Sequence, residues 1–224
     1  MVKNIYDVFS IVDKLYEYLE NKSIEFDESG FPIFEEKMFL KEWPNAVVPY
    51  PHRKNKIIKD KSKTVICFFT KDHALYPRLE RIDDDLSEFK EYLGVAGLDI
   101  TVTEDMDEEW QRLIVLLNHL YLAVLATNGV KILLNTRTGG LDSKGIFNNI
   151  PKGIMCISGF LGCDALKDNY DYSYLNKIMA LLPSKLIIYG KKDKIVENQL
   201  ENMGVNYKYY DDFHKYYKGV KYGR

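Results

Sequence analysis

The side chains in this chain that could do chemistry sit just past short apolar runs. Thr70, Lys71, Asp72 and His73 follow TVICFF, and Asp72 beside His73 offers a carboxylate and an imidazole that titrates near neutral pH. In LDITVT, alternation sends Asp99, Thr101 and Thr103 to the face opposite Ile100 and Val102. A carboxylate turned inward there is costly unless paired or wetted. The run KILLNT ends in Asn135 and Thr136, and Arg137 leads into Thr138-Gly139-Gly140. Ser158 and Gly159 end another run, and Tyr189, Gly190, Lys191 and Lys192 end a third. If Asp72, Asp99, Arg137 and Lys191 share one mouth, they can position a phosphate or carboxylate and supply an acid or base. Asp72, His73 and Asp99 are the candidate catalytic groups. Thr101, Asn135, Arg137, Ser158, Tyr189 and Lys191 are the candidate ligand-binding groups. Arg137 with the following TGG is the best local anion cradle, because glycines let backbone N–H groups approach an anion. A tight turn explains the same two glycines. Neither G-x-x-x-x-G-K-[ST] nor G-x-G-x-x-G occurs, no spacing specifies a metal, and the cofactor is unknown.

Other polar residues have plainer readings. His119 lies inside the apolar stretch LIVLLNHLYLAVLA and reads as a hydrogen-bonded core or helix-edge residue. His52 and His214 read as exposed. Gln111 and Asn118, seven apart, share a helical face that needs partners if buried. Asp83, Asp84 and Asp85 read as a helix-start charge group. Arg53, Lys54, Lys56, Lys59, Lys61 and Lys63 form the densest basic run, either a solvated loop or a phosphate or nucleic-acid contact. From Val205 the chain interleaves Tyr207, Tyr209, Tyr210, Tyr216, Tyr217 and Tyr222 with Lys208, Lys215, Lys218, Lys221 and Arg224. Such a pattern can stack on single-stranded nucleic acid, and also serves ordinary surfaces. Cys67, Cys156 and Cys163 show no C-x-x-C spacing; Cys67 and Cys156 lie in apolar runs as buried thiols, which suits a reducing compartment.

The elements that must position these groups follow from periodicity. Residues 4–21 carry Ile5, Val8, Phe9, Val12, Leu15 and Leu19 at helical spacing. Between 22 and 63 the pattern dissolves around Gly30, Pro32, Pro44, Pro49 and Pro51, with FPIF and AVVPY as edge-strand candidates. Strands are expected at 64–69, 98–103, 131–136, 153–158, 185–189 and 205–210. Several are continuously apolar, as in a parallel sheet covered on both faces. Helices are expected at 83–93, 106–128, 172–182 and 195–203, with acids opening the second and Gly129 stopping it. The alternation predicts an α/β fold with a mainly parallel sheet. The sheet is either an incomplete (β/α) barrel or open, with the barrel-like form expected, and it follows an N-terminal helical arm. The division expected is 1–63 for the helix and irregular arm and 64–224 for the α/β domain with its Tyr/Lys-rich tail. In either form, polar residues after strand ends gather on one rim, where ligands bind.

The chain has 224 residues, enough for one sizeable core, with 31 Lys and Arg against 33 Asp and Glu. A net charge of −2 gives no support to a protein that coats duplex DNA. The most apolar stretch, 113–126, falls short of the roughly 20 residues needed to span a bilayer, and the N-terminus lacks a signal-peptide core. A cytoplasmic protein without membrane contact is expected.

The stretches FFTKDHALYPRLER, GLDITVTEDM, QRLIVLLNHLYLAVLATNGVKILLNTR, NNIPKGIMCISGFLGC and PSKLIIYGK resemble an uncharacterised family, a domain of unknown function common in bacteriophage and integrated mobile-element genomes. Matching positions are Asp99, Asp105, Met106, Gln111, Asn118, Gly129, Ile150, Pro151, Ser158, Gly162, Tyr189 and Gly190. The chain departs at Arg137-Thr138-Gly139, where members often carry tryptophan, and at Asn149, where they tend to have glycine. The resemblance implies a phage or mobile-element origin, hence a host cytoplasm, and no activity. Three functions remain open. The first is an accessory protein that binds or processes a phosphate-bearing small molecule at the rim. The second is a non-catalytic factor that binds a host or phage protein. The third is a DNA-replication-associated protein.

Overall fold

The computed structural model describes residues 5–140, 145–159 and 173–215. The N-terminal periodicity forms α1 (Ile5–Leu19), whose Val8, Ile11, Val12, Leu15 and Leu19 are buried. Two short pieces, β1 (Glu25–Phe26) and β2 (Pro32–Ile33), pair antiparallel. The chain then enters β3 (Ala46–Pro49), β4 (Thr64–Cys67), α2 (Asp72–Leu79), α3 (Ile82–Phe89) and β5 (Gly94–Ala96). It continues through α4 (Glu108–Thr127), β6 (Ile132–Asn135), β7 (Met155–Gly159), α5 (Ser173–Leu181), β8 (Lys185–Tyr189), α6 (Lys194–Asn202) and β9 (Tyr207–Tyr210).

Strands β3 to β9 lie side by side in chain order, every neighbouring pair parallel, in a sheet nearly closed into a barrel. Because successive side chains point to opposite faces, each strand feeds two cores. Val47, Val65, Cys67, Leu133, Met155, Ile157 and Ile187 fill the inside. Val48, Ile66, Val95, Ile132, Leu134, Cys156, Leu186 and Ile188 belong to the larger cluster under the helices. This double burial is why the strands read as continuous apolar runs. The thiols of Cys67 and Cys156 are buried in the two layers and pushed up by that burial; Cys163 lies outside the described residues. Pro49 sits on edge strand β3, where a missing N–H breaks no ladder.

Among the described residues no strand joins β9 back to β3. The Tyr210 hydroxyl bridges that gap, donating to the Pro44 carbonyl at 2.7 Å, and Lys185 Nζ donates to the Lys41 carbonyl. The His52 ring stacks on Phe213 across the same gap, centroids 5.1 Å apart. Since β3 pairs with β4 along Ala46–Pro49, the sheet begins inside the segment read as an arm, and position 63/64 falls between two paired strands.

The long helix α4 is the fold's axis outside the barrel. Asp107 caps it, accepting from the N–H groups of Glu109 and Trp110, and Gly129 ends it at φ +83°. It is long and apolar enough to cross a membrane, yet it is mostly buried under α1 and against β6.

Two expectations change. The strand predicted at 98–103 is instead β5 at Gly94–Ala96, and 98–103 continues as an extended loop. The ladder ends at the Gly97 N–H, which donates to the Leu133 carbonyl, and side chains then take the place of a neighbouring strand. Asn118 Oδ1 accepts the Leu98 N–H at 2.9 Å, and Asn135 Nδ2 donates to the Leu98 carbonyl at 2.9 Å. The alternation survives, with Ile100 and Val102 buried and Thr101 and Thr103 exposed. The second change is α2, which forms in a stretch where no helix is expected. Pro77 lies inside it, and Leu75 and Leu79, one turn apart, are buried and hold it down.

Candidate functional site

Parallel strands bring their carboxyl ends to one rim, and a cavity of about 650 Å³ opens there. Its wall is drawn from four separate strand ends and from the segment after β9. Thr70, Lys71, Asp72 and His73 come from the β4–α2 corner, Asp99 and Thr101 from the loop after β5, and Arg137 from beyond β6. Gly159 ends β7, and His214 follows β9. Of the sequence candidates, Asp72, His73, Asp99, Thr101 and Arg137 therefore share one cavity.

Asp99 is its most constrained group. Asn135 Nδ2 donates to Oδ1 at 3.0 Å, and Arg137 Nε lies 3.1 Å from the same oxygen. Oδ2 accepts no hydrogen bond from the described residues. Burial raises the carboxyl above the usual aspartate range, Arg137 and Asn135 pull it back down, and the nearby Asp72 carboxylate adds to the rise. Asn135 is buried and does not line the cavity; it works by bonding Asp99 and the Leu98 carbonyl together, while its own Oδ1 accepts the Arg137 N–H at 3.3 Å. Asp72, in the first turn of α2, receives the Thr101 N–H on both oxygens at 3.3 Å each, fastening the β5 loop to α2.

Three candidates are placed elsewhere. Ser158 points outward from β7, where its Oγ lies 2.5 Å from Thr136 Oγ1 and accepts from the Tyr174 hydroxyl. Its parity is opposite to that of inward-facing Ile157 and Gly159, so it meets α5 rather than the rim. Tyr189 is fully buried inside the barrel, its hydroxyl accepting from the Phe213 N–H at 2.9 Å. Lys191 is exposed and away from the cavity wall. The anion cradle at TGG is also absent from the wall. Gly139, at φ +60°, makes a tight turn; the Gly140 N–H donates to Gln111 Oε1 at 2.7 Å, and Lys177 Nζ donates to the Gly139 carbonyl at 2.6 Å. Gln111 Nε2 also donates to the carbonyls of Glu104 and Met106, so Gln111 and Asn118 both hold backbone.

Sequence reasoning passed over His214, Phe69 and Gly159. The rule that found Arg137 would have found His214, since it too follows a strand end. Phe69 forms the floor, stacked on Tyr189 with centroids 5.5 Å apart and planes 17° from parallel. Gly159 lies against the same ring, so a β-carbon at 159 would collide with Phe69. Gly159→Ala is expected to destabilise by about 1–3 kcal/mol as the floor is displaced. A denaturant midpoint equal to wild type would show that the ring moves freely.

Four of the six cations in the basic run are paired. Arg53 pairs with Asp85 and Glu88, Lys54 with Glu88 at 3.4 Å, Lys61 with Glu91 at 2.8 Å and Lys63 with Glu42 at 3.2 Å. In the tail, Lys208 lies over the Tyr210 ring; residues 216–224 lie outside the described residues, as do Phe160, Leu161 and Gly162. Among the described residues no cluster of three or more His, Cys, Asp or Glu side chains could hold a metal ion. A separate, mainly apolar cavity of about 660 Å³ lies between α1 and α4, walled by Phe9, Phe31, Trp110, Leu113 and Leu116. No family model, curated protein or solved structure matches the chain, so the rim cavity itself carries the functional argument.

Proposed function

We propose that the rim cavity binds a phosphate-bearing small molecule, with Arg137 and Lys71 facing the anion and Asp99 able to exchange a proton with the ligand. The observation that carries this reading is the convergence of Lys71, Asp72, His73, Asp99, Arg137 and His214, from four separate segments, on one cavity of about 650 Å³. Ligands of parallel α/β folds bind at that end of the strands. A guanidinium suits a phosphate because its planar fork matches the oxygens. Asp99, buried between a cation and an amide, has the environment expected of a group tuned for proton transfer. The setting, an accessory protein encoded by a phage or mobile element and acting in the host cytoplasm, rests on the family resemblance.

Mass spectrometry of small molecules retained by the purified protein tests the reading, together with calorimetric titration of methyl phosphate. Arg137→Ala is expected to weaken methyl phosphate binding about 10- to 100-fold, the loss typical of a hydrogen bond to a charged group. Arg137→Lys should recover part of it. An unchanged affinity in Arg137→Ala, with circular dichroism showing a folded protein, would remove the cavity from consideration.

A further inference from the structure

The charges around the rim cavity are not those of a simple anion hole. Two permanent cations, Lys71 and Arg137, face two carboxylates, Asp72 and Asp99, with the imidazoles of His73 and His214 beside them. Among the described residues, and leaving the imidazoles aside, cations and carboxylates balance, so a phosphate carrying about −1.5 to −2 charge gains from one side what it loses to the other. A bare phosphate monoester therefore leaves the two described carboxylates unmatched.

The carboxylates are arranged to accept more hydrogen bonds than they receive. Both donors to Asp99 converge on Oδ1, at 3.0 Å from Asn135 and 3.1 Å from Arg137, and Oδ2 is left as an acceptor on a cavity-lining side chain. Among the described residues each Asp72 oxygen accepts only the long 3.3 Å bond from the Thr101 N–H, and a carboxylate oxygen has capacity for a second donor. The Thr101 hydroxyl lies on the same wall. An ammonium group is a weaker candidate for these acceptors, because the Arg137 guanidinium already stands beside Asp99 and would repel it. Uncharged hydroxyls satisfy the acceptors without that repulsion. The floor is the Phe69 ring, a surface suited to the C–H face of a sugar.

Building on the phosphate reading above, we infer that the ligand is a polyhydroxylated organic phosphate, a sugar phosphate in chemical class, whose hydroxyls donate to Asp99 Oδ2 and Asp72 while its phosphate meets Arg137 and Lys71. The comparison that tests it uses methyl phosphate, ribose 5-phosphate and phosphoethanolamine, titrated calorimetrically into the full chain. Ribose 5-phosphate should bind at least 10-fold more tightly than methyl phosphate. In Asp99→Asn that ratio should collapse, with methyl phosphate binding several-fold more tightly as a carboxylate leaves its surroundings. Should Asp99→Asn fail to fold, Asp72→Asn is expected to reduce the ratio in the same sense. Equal affinity for ribose 5-phosphate and methyl phosphate in the wild type overturns the sugar-phosphate inference and leaves the phosphate site standing. Preference for phosphoethanolamine overturns it in favour of a cationic ligand. If none of the three binds, the phosphate reading fails and takes this inference with it.

Discussion

Asp85→Ala is expected to cost about 3–5 kcal/mol of folding stability, the range seen when one partner of a buried ion pair is removed. Asp85 is buried on α3, and its two oxygens serve three side chains. Oδ2 accepts from the Tyr50 hydroxyl at 2.6 Å and from Arg78 Nε at 3.1 Å, while Oδ1 accepts from Arg78 Nη2 at 2.8 Å and Arg53 Nη2 at 3.3 Å. Arg53 also lies over the Tyr50 ring, 3.8 Å from its centroid, and pairs with Glu88 at 3.0 Å. Without Asp85, Arg78 would lose the carboxylate it pairs with, and Arg53 would keep its pair with Glu88, which Lys54 also uses. Asp85→Asn, which keeps the shape and one acceptor, should cost less. Urea denaturation midpoints at constant slope would measure both, and a loss below 1 kcal/mol for Asp85→Ala would mean that water replaces the carboxylate. The network ties the turn after β3 to α2 and α3, and α2 carries Asp72 and His73 into the cavity. The same substitution should therefore weaken ligand binding without touching the ligand.

Stability should also fall steeply in mild acid, and His119 is the reason. The ring is buried within α4, edge-on to Phe31 and Phe34. Its Nδ1 lies 3.1 Å from Asn149 Nδ2, which also donates to the Pro32 carbonyl at 2.8 Å. An amide N–H facing Nδ1 makes that nitrogen an acceptor, so the imidazole is neutral and its proton sits on Nε2. Burial pushes the imidazole down to about 3. The unfolded chain takes up this proton near pH 6.5 and the folded chain does not. The contribution of His119 is thus complete above about pH 6.5 and is lost as pH falls towards 3, at about 1.4 kcal/mol per pH unit. Between pH 7 and pH 5 the wild type should lose about 2 kcal/mol by this route. His119→Gln keeps an acceptor for Asn149 and removes the titration, so its urea midpoint should change less over the same interval. Parallel pH profiles for the two proteins would assign the acid sensitivity to other groups.

What the sequence discloses depends on how local each determinant is. Continuous apolar runs mark strands β4, β6, β7 and β8 because burial on both faces is written into the run itself. The acids before α4 and Gly129 after it mark that helix at both ends. Rim position follows from strand position, which is why Asp72, His73, Asp99, Thr101 and Arg137 come together. It fails for Ser158, where a shift of one residue along β7 exchanges the inside of the barrel for the outside. Asp99 reaches the cavity although 98–103 is not a strand, since Asn118, Asn135 and Asp72 hold that loop extended. Asp85 was legible only as one of three acids opening a helix. Its burial depends on Tyr50 and Arg53, more than thirty residues upstream, and nothing near Asp85 announces them. Asn149 is similar: its partners, His119 and Pro32, lie 30 and 117 residues away.

The unclosed side of the barrel has a consequence for how the molecule comes into being. The Tyr210 hydroxyl meets the Pro44 carbonyl across 166 residues, and Lys185 meets Lys41 across 144. A chain leaving the ribosome cannot make these contacts until nearly all of its sheet has been synthesised. Until then the interior layer of Val47, Val65, Leu133 and Ile187 has one flank uncovered. Such long-range closure slows folding and prolongs the interval in which sticky intermediates meet one another. Nascent chains of this protein should accordingly depend on chaperones more than a helical bundle of equal length.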